Sequence, residues 1–217
     1  MLPILLATLF APSAHAGAAV TSEMVCSVQR AVSRELAWSE SECRRVADAL
    51  NETRRPRTVA AMAVLESDFR PDVAVEAKAG TFDVGLLGVR CVLYPGSSAS
   101  ARGYGPRSAG DSKSADLPAG RCHNGPASGH TLVTLQDPVT NIHVAAQIMA
   151  QKRARFGKAW LYRFNGAAHE NGYTRKVMVI VAALGGVRLA TKCKRVRRLV
   201  GLIVAALAPR IAMEASR

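Results

Sequence analysis

Between Pro56 and Pro71 the chain has little conformational freedom. Pro56 can open a helix, because its missing N–H would be unpaired in a first turn anyway. Val59, Met62, Ala63 and Leu65 then follow at mostly i, i+3, i+4 spacing. Arg70–Pro71 predicts the stop, since the residue before a proline avoids the α region. The spacing therefore predicts a largely buried helix over 57–69, with Glu66 in its last turn. Desolvation disfavours a carboxylate there, and so does the negative end of the helix dipole. Both effects hold the proton on Glu66.

The rest of the chain supports a mainly α fold. Apolar residues make up 49% of the sequence but aromatics only 5%, and Ala is abundant. That set favours helices packed closely on one another over a β-sandwich. Residues 21–55 look helical, with a capping-box spacing at Ser39 and Glu42 ahead of Val46 and Leu50. Residues 78–92, with glycines at 80, 85 and 88, read as a turn followed by short extended or irregular backbone. Residues 94–136 form a long Gly/Pro/Ser-rich loop, of the kind that is often functional. Asp137–Pro138 opens another helix, which closes at Gly157. A short helical piece follows over Ala159 to Asn165, then a turn, then a helix from Tyr173 to Leu184 stopped by Gly185–Gly186. Residues 187–217 are basic, then apolar, and predict an amphipathic helix that packs on the domain or touches an anionic membrane surface. Its apolar run, Leu199 to Ala208, is too short to span a bilayer. The expected organisation is a segment at 17–55, a domain at 56–186 and the tail.

Residues 1–16 carry no charged side chain and end in Ala14-His15-Ala16, a signal-peptide pattern cleaved before Gly17. Export would make the protein secreted or periplasmic. The five cysteines include no C-x-x-C metal spacing and fit two disulfides with a spare thiol in an oxidising compartment. Cys26 and Cys43 lie on neighbouring predicted helices, and Cys91 and Cys122 bracket the long loop. Closing that ~30-residue loop would contribute about 3–4 kcal/mol. Four cysteines allow three connectivities and the fifth multiplies them, so spacing leaves the pairing open. Neither a metal nor a cofactor is implied. The formal net charge of +13 seeks polyanions, and export favours anionic envelope polymers or lipid over nucleic acid.

Cleavage of a β-linked glycan needs a carboxylic acid that keeps its proton near neutral pH, which is the environment predicted for Glu66. The surrounding residues add a resemblance. Glu66-Ser67-Asp68-Phe69-Arg70-Pro71 is similar to the E-S-x-F-x-P signature of the soluble lytic transglycosylase (SLT) domain. In the family's order follow Asp83-Val84-Gly85-Leu86-Leu87-Gly88, which resembles its G-L-M-Q segment, and Asp137-Pro138-Val139-Thr140-Asn141-Ile142, which resembles its D-P-x-x-N-I helix start. Phe164-Asn165-Gly166 with Tyr173 and Val177 resembles its Y-N-x-G…Y-x-x-x-V end. The resemblance implies a lysozyme-like helical domain with a glycan groove and one catalytic acid/base, Glu66, in which the Gly/Pro/Ser-rich stretch would be a long irregular loop insert. It further implies that the Gly85, Leu86 and Leu87 backbone lines the groove, that Asn165 belongs to the wall facing the sugar, and that Tyr173 positions Glu66. The implied partner is the peptidoglycan glycan strand, cut between N-acetylmuramic acid and N-acetylglucosamine.

Two departures bear on activity. Gly88 stands where the family has Gln, and Phe164 where it has Tyr; each removes a side chain able to hydrogen-bond. Tyr104, His123 and Asn124 of the long loop are polar candidates to substitute. A lysozyme-type hydrolase of the same bond would want a second carboxylate to position water. Asp68 and Asp83, each beside a motif, are better placed for that than Asp72 or Glu76. His130, His143 and His169 lack a nucleophile partner, and Ser67 has no Gly-x-Ser-x-Gly setting. The competing expectations are a transglycosylase, a hydrolase, a catalytically weakened glycan-binding protein, and a membrane-active protein acting through its tail.

Overall fold

The computed structural model describes residues 18–33, 37–93, 117 and 120–215. The expected leader, 1–16, and Tyr104 lie outside the described residues. The fold is mainly helical with one small sheet.

Helix α1 spans Ser22–Val32 and is capped by Thr21, whose hydroxyl accepts from the Met24 N–H. Helix α2, Glu40–Asn51, opens with the full capping box: Glu42 N–H donates to Ser39 Oγ, and Ser39 N–H donates to Glu42 Oε2 at 2.8 Å. The Cys26–Cys43 disulfide joins these two helices. Helix α3, Pro56–Ser67, is buried along nearly its whole length.

Its end differs from the expectation. The helix stops at Ser67, three residues short of Arg70, because Asp68 and Phe69 turn left-handed at φ 53° and 60°. Left-handed backbone costs a residue with a Cβ about 1–2 kcal/mol. The turn drives Phe69 back into the core, where it is 1% exposed and packs on Trp38 with ring centroids 5.5 Å apart. Burying a side chain of this size is worth about 1.5–3 kcal/mol, which offsets much of the strain.

Residues 74–92 take the extended option expected over 78–92 and begin it four residues earlier, at Ala74. They form an antiparallel meander of β1 (Ala74–Lys78), β2 (Thr81–Val84) and β3 (Val89–Val92), in the order β1-β2-β3. Each strand is only four or five residues long, too short for alternation to stand out in the sequence. Gly85–Gly88 is the β2–β3 turn.

The second disulfide, Cys91–Cys122, ties β3 to the far end of the long loop, where bridges pair Leu93 with Cys122 and Arg121 with Thr131. The loop's described end is more ordered than an irregular insert. It holds a 3-10 turn, Gly125–Ala127, and a short helix α4, Leu132–Gln136. Helix α5, Pro138–Phe156, starts at Asp137, whose carboxylate accepts from Thr140 N–H at 2.8 Å. Then come α6 (Trp160–Phe164), α7 (Tyr173–Leu184) and α8 (Lys194–Ala215).

One cluster of buried side chains runs from Val20 to Leu207. Helix α7 packs along α3, and α8 lies against α1 and α7. Of the two placements expected for the tail, α8 takes the packed one: Val196, Leu199, Val200, Ile203 and Leu207 are all buried. Among the described residues, no helix is long and apolar enough to cross a membrane. Cys193 is a free thiol, half-buried.

Candidate active site

Glu66 emerges from the last turn of α3 into a cleft of about 330 Å³. The Tyr173 hydroxyl, from the first turn of α7, donates to Glu66 Oε1 at 2.5 Å. The Asn165 side chain is a second hydrogen-bond partner. Burial raises the Glu66 pKa above the ordinary glutamate value, and the Asp83 charge pushes the same way. The bonds from Tyr173 and Asn165, and the Arg195 charge, oppose the rise without cancelling it. Tyr173 is 4% exposed, and burial together with the adjacent carboxylate keeps its phenol protonated throughout the working pH range. A carboxyl with raised proton affinity therefore faces the cleft, with a neutral donor fixing one oxygen.

The opposite lip is Leu87 and Gly88 of the Gly85–Gly88 turn, and buried polar side chains hold the turn from behind. Asn141, 0% exposed on α5, accepts from Leu87 N–H at 2.9 Å and donates to the carbonyls of Val84 and Leu135 at 2.9 and 2.8 Å. Ser67 Oγ reaches the Leu86 carbonyl at 3.0 Å and the Ala63 carbonyl at 3.1 Å. Gly85 N–H donates to Val73 O at 2.7 Å. Gly85 must be glycine: φ is +75°, and a Cβ would stand 2.2 Å from Asn141 Nδ2. Gly88, at φ +56°, faces the cleft; a Cβ there would lie 3.8 Å from Glu66 Oε2. The departure at Gly88 thus leaves open space beside Glu66 Oε2.

The structure separates the expected site residues. Leu87, Gly88, Phe164 and Asn165 line the cleft with Glu66. Gly85 and Leu86 sit behind its lip, Leu86 at 0% exposure, and Tyr173 stands behind Glu66. Asp83 lines the cleft, but Arg90 grips both its oxygens, at 2.9 and 3.0 Å. Asp68 pairs instead with Arg195 of α8 at 2.9 Å. Asp72 pairs with Arg70, and Glu76 accepts from Gly80 N–H. Asn124 lines the cleft and clasps β3, accepting from Val92 N–H and donating to Arg90 O, whereas His123 is exposed. His143 meets Glu52 at 3.0 Å, away from the cleft. Among the described residues, no group of three or more His, Cys, Asp or Glu is placed to hold a metal.

Sequence reasoning missed Arg90, one wall of the cleft and the role of Asn141. Arg90 was findable only through strand register, since Asp83 and Arg90 are cross-strand partners. Ile148, Gln151 and Lys152 of α5 form the cleft's far wall, a stripe at helical spacing that identifies no chemistry by itself. Asn141 belonged to a recognised motif, but its hold on the Gly85–Gly88 turn depends on tertiary contact. No protein-family model matches the chain, and no curated protein or solved structure matches it either.

Proposed function

We propose that the protein is an exported lytic transglycosylase with a lysozyme-like fold, and that Glu66 is its one acid/base. The observation that carries this reading is Glu66 itself: a partly buried acid with a raised pKa, held from behind by Tyr173 and facing an open cleft. Protonated Glu66 donates to the glycosidic oxygen as the C1–O bond breaks, and the departing sugar leaves as an alcohol. Positive charge develops at C1 of the muramic acid ring, beside the new carboxylate. The carboxylate then takes the proton from that ring's 6-hydroxyl, O6 bonds to C1, and a 1,6-anhydro end results. Glu66 ends protonated and no water is consumed. Tyr173 supports both steps by donating to Oε1, while Oε2 lies toward Gly88.

The hydrolytic alternative draws on Asp83, the second carboxylate of the same cleft. Its forked bond to Arg90 engages both oxygens, which favours the transglycosylase, because a carboxylate so engaged is a poor base toward water. The two disulfides fit extracytoplasmic residence. The exposed basic residues of α8, Lys194, Arg197 and Arg198, suit anionic envelope polymers.

Digestion of purified peptidoglycan followed by mass spectrometry of the muropeptides tests the proposal. Anhydro ends that vanish with Glu66→Gln are expected. Reducing ends would replace it by the hydrolase, and a folded, glycan-binding protein that releases no product would leave a binding role.

A further inference from the structure

Helix α5 presents two stripes to two different hollows. Ile148, Gln151 and Lys152 face the Glu66 cleft. Ala146, Met149, Ala150, Arg153 and Ala154, repeating at three and four residues, face a second hollow of about 440 Å³. Its other walls are the α2–α3 turn from Glu52 to Arg55, Val59 of α3 and Trp160 of α6.

Three arginines line it. Arg153 is half-buried with its guanidinium 4.8 Å from the centre of the Trp160 ring, and its buried Nε has no hydrogen-bond partner. Arg54 and Arg55 are exposed on the facing turn. Burial, and then the charges of Arg55 and Arg54, pull the Arg153 pKa below the usual arginine value. Among the described residues, no carboxylate pairs with any of the three. Glu52, the acidic group in the lining, meets His143 instead. Helix α3 begins at this turn with no side-chain cap, so the positive end of its dipole adds to the same field.

Three clustered arginines without a carboxylate bonded to them, over an apolar floor, form a site that an anion completes. Guanidinium forks match the oxygens of phosphate, and Trp160, Met149 and Val59 offer surface to the carbon body attached to it. We propose that this hollow binds a phosphate mono- or diester, with Arg54, Arg55 and Arg153 on the phosphate oxygens. The site is separate from the Glu66 cleft and does not depend on the glycan reading.

Calorimetric titration of the full chain with glycerol 3-phosphate and with inorganic phosphate tests this, beside sedimentation with phosphatidylglycerol and phosphatidylcholine vesicles. Saturable one-site binding is expected, weakened about tenfold or more in the Arg54→Gln/Arg55→Gln double variant. The control is Arg30→Gln/Arg175→Gln, which removes the same charge from the exposed faces of α1 and α7 and should keep the affinity. All four arginines are exposed, so both double variants should fold. Binding only to phosphatidylglycerol vesicles, lost in the first double variant and kept in the second, assigns the phosphate to a lipid headgroup. Equal losses in both variants, unchanged binding in the first, or no saturable binding to any of the four probes would overturn the site.

Discussion

Asn141 and Glu66 are polar side chains on opposite sides of the Gly85–Gly88 turn, and they are treated in opposite ways. Asn141 is wholly buried and fully used: its oxygen takes one backbone N–H and its amide serves two backbone carbonyls. Glu66 is only partly buried, and its Oε2 looks past Gly88 into the cleft. A satisfied buried amide rigidifies what it touches. A desolvated acid with an open side is unstable as a carboxylate and ready to give up its proton to a ligand. The first builds the wall, and on the proposed reading the second does chemistry beside it.

Four substitutions would break or sharpen this contrast. Glu66→Gln should show the largest effect, a loss of about 10²–10⁴-fold in muropeptide release, as expected for removing a general acid. It should also raise stability. A carboxyl whose folded pKa is raised contributes stability below its ordinary pKa, and that contribution is lost as pH rises through the folded value. The Gln variant should therefore melt above the wild type at neutral pH, with the gap closing in acid; a lower Tm across the whole range would place Glu66 with Asn141 as a structural residue. Asn141→Ala should do the reverse, losing about 3 kcal/mol in urea unfolding, since three backbone groups lose their partner. An Asn141→Ala protein as stable as wild type would sink the wall role.

Tyr173→Phe removes the donor that favours ionised Glu66. The alkaline limb of the pH–rate profile should move to higher pH, with activity down by about tenfold. An unmoved limb would show that Tyr173 only packs. Arg195→Gln is the smallest change: its exposed bridge to Asp68 is worth about 0–1 kcal/mol by thermal melts. Its charge also favours ionised Glu66, so the same limb should move slightly in the same direction.

Much of the helical frame was legible because its signals are local. The Ser39/Glu42 box, the Asp137–Pro138 start, the Gly157 stop and the Tyr173–Leu184 stripe each act within a turn or two of backbone. The Ser67 stop was not, because Phe69 leaves the helix to reach Trp38, some thirty residues earlier. The sheet was obscured by strands too short to show a period. The cleft divides along the same line. Glu66, Asn165 and Tyr173 were found through ordered motifs, whereas Arg90, Lys152 and the wall role of Asn141 arise from pairing and packing across the chain.

By itself the sequence determined where an apolar helix would carry an acid in its final turn, since helix propensity, proline placement and periodicity are properties of neighbours. The tertiary structure decided what that acid faces. It paired Cys26 with Cys43 and Cys91 with Cys122, a choice that spacing left open. It turned Asp68 toward Arg195 and locked Asp83 to Arg90, separating two carboxylates that adjacency could not rank. It also buried the apolar face of the C-terminal tail. Desolvation and charge depend on everything within several ångströms of a group, and most of what surrounds Glu66 comes from residues far away in the chain.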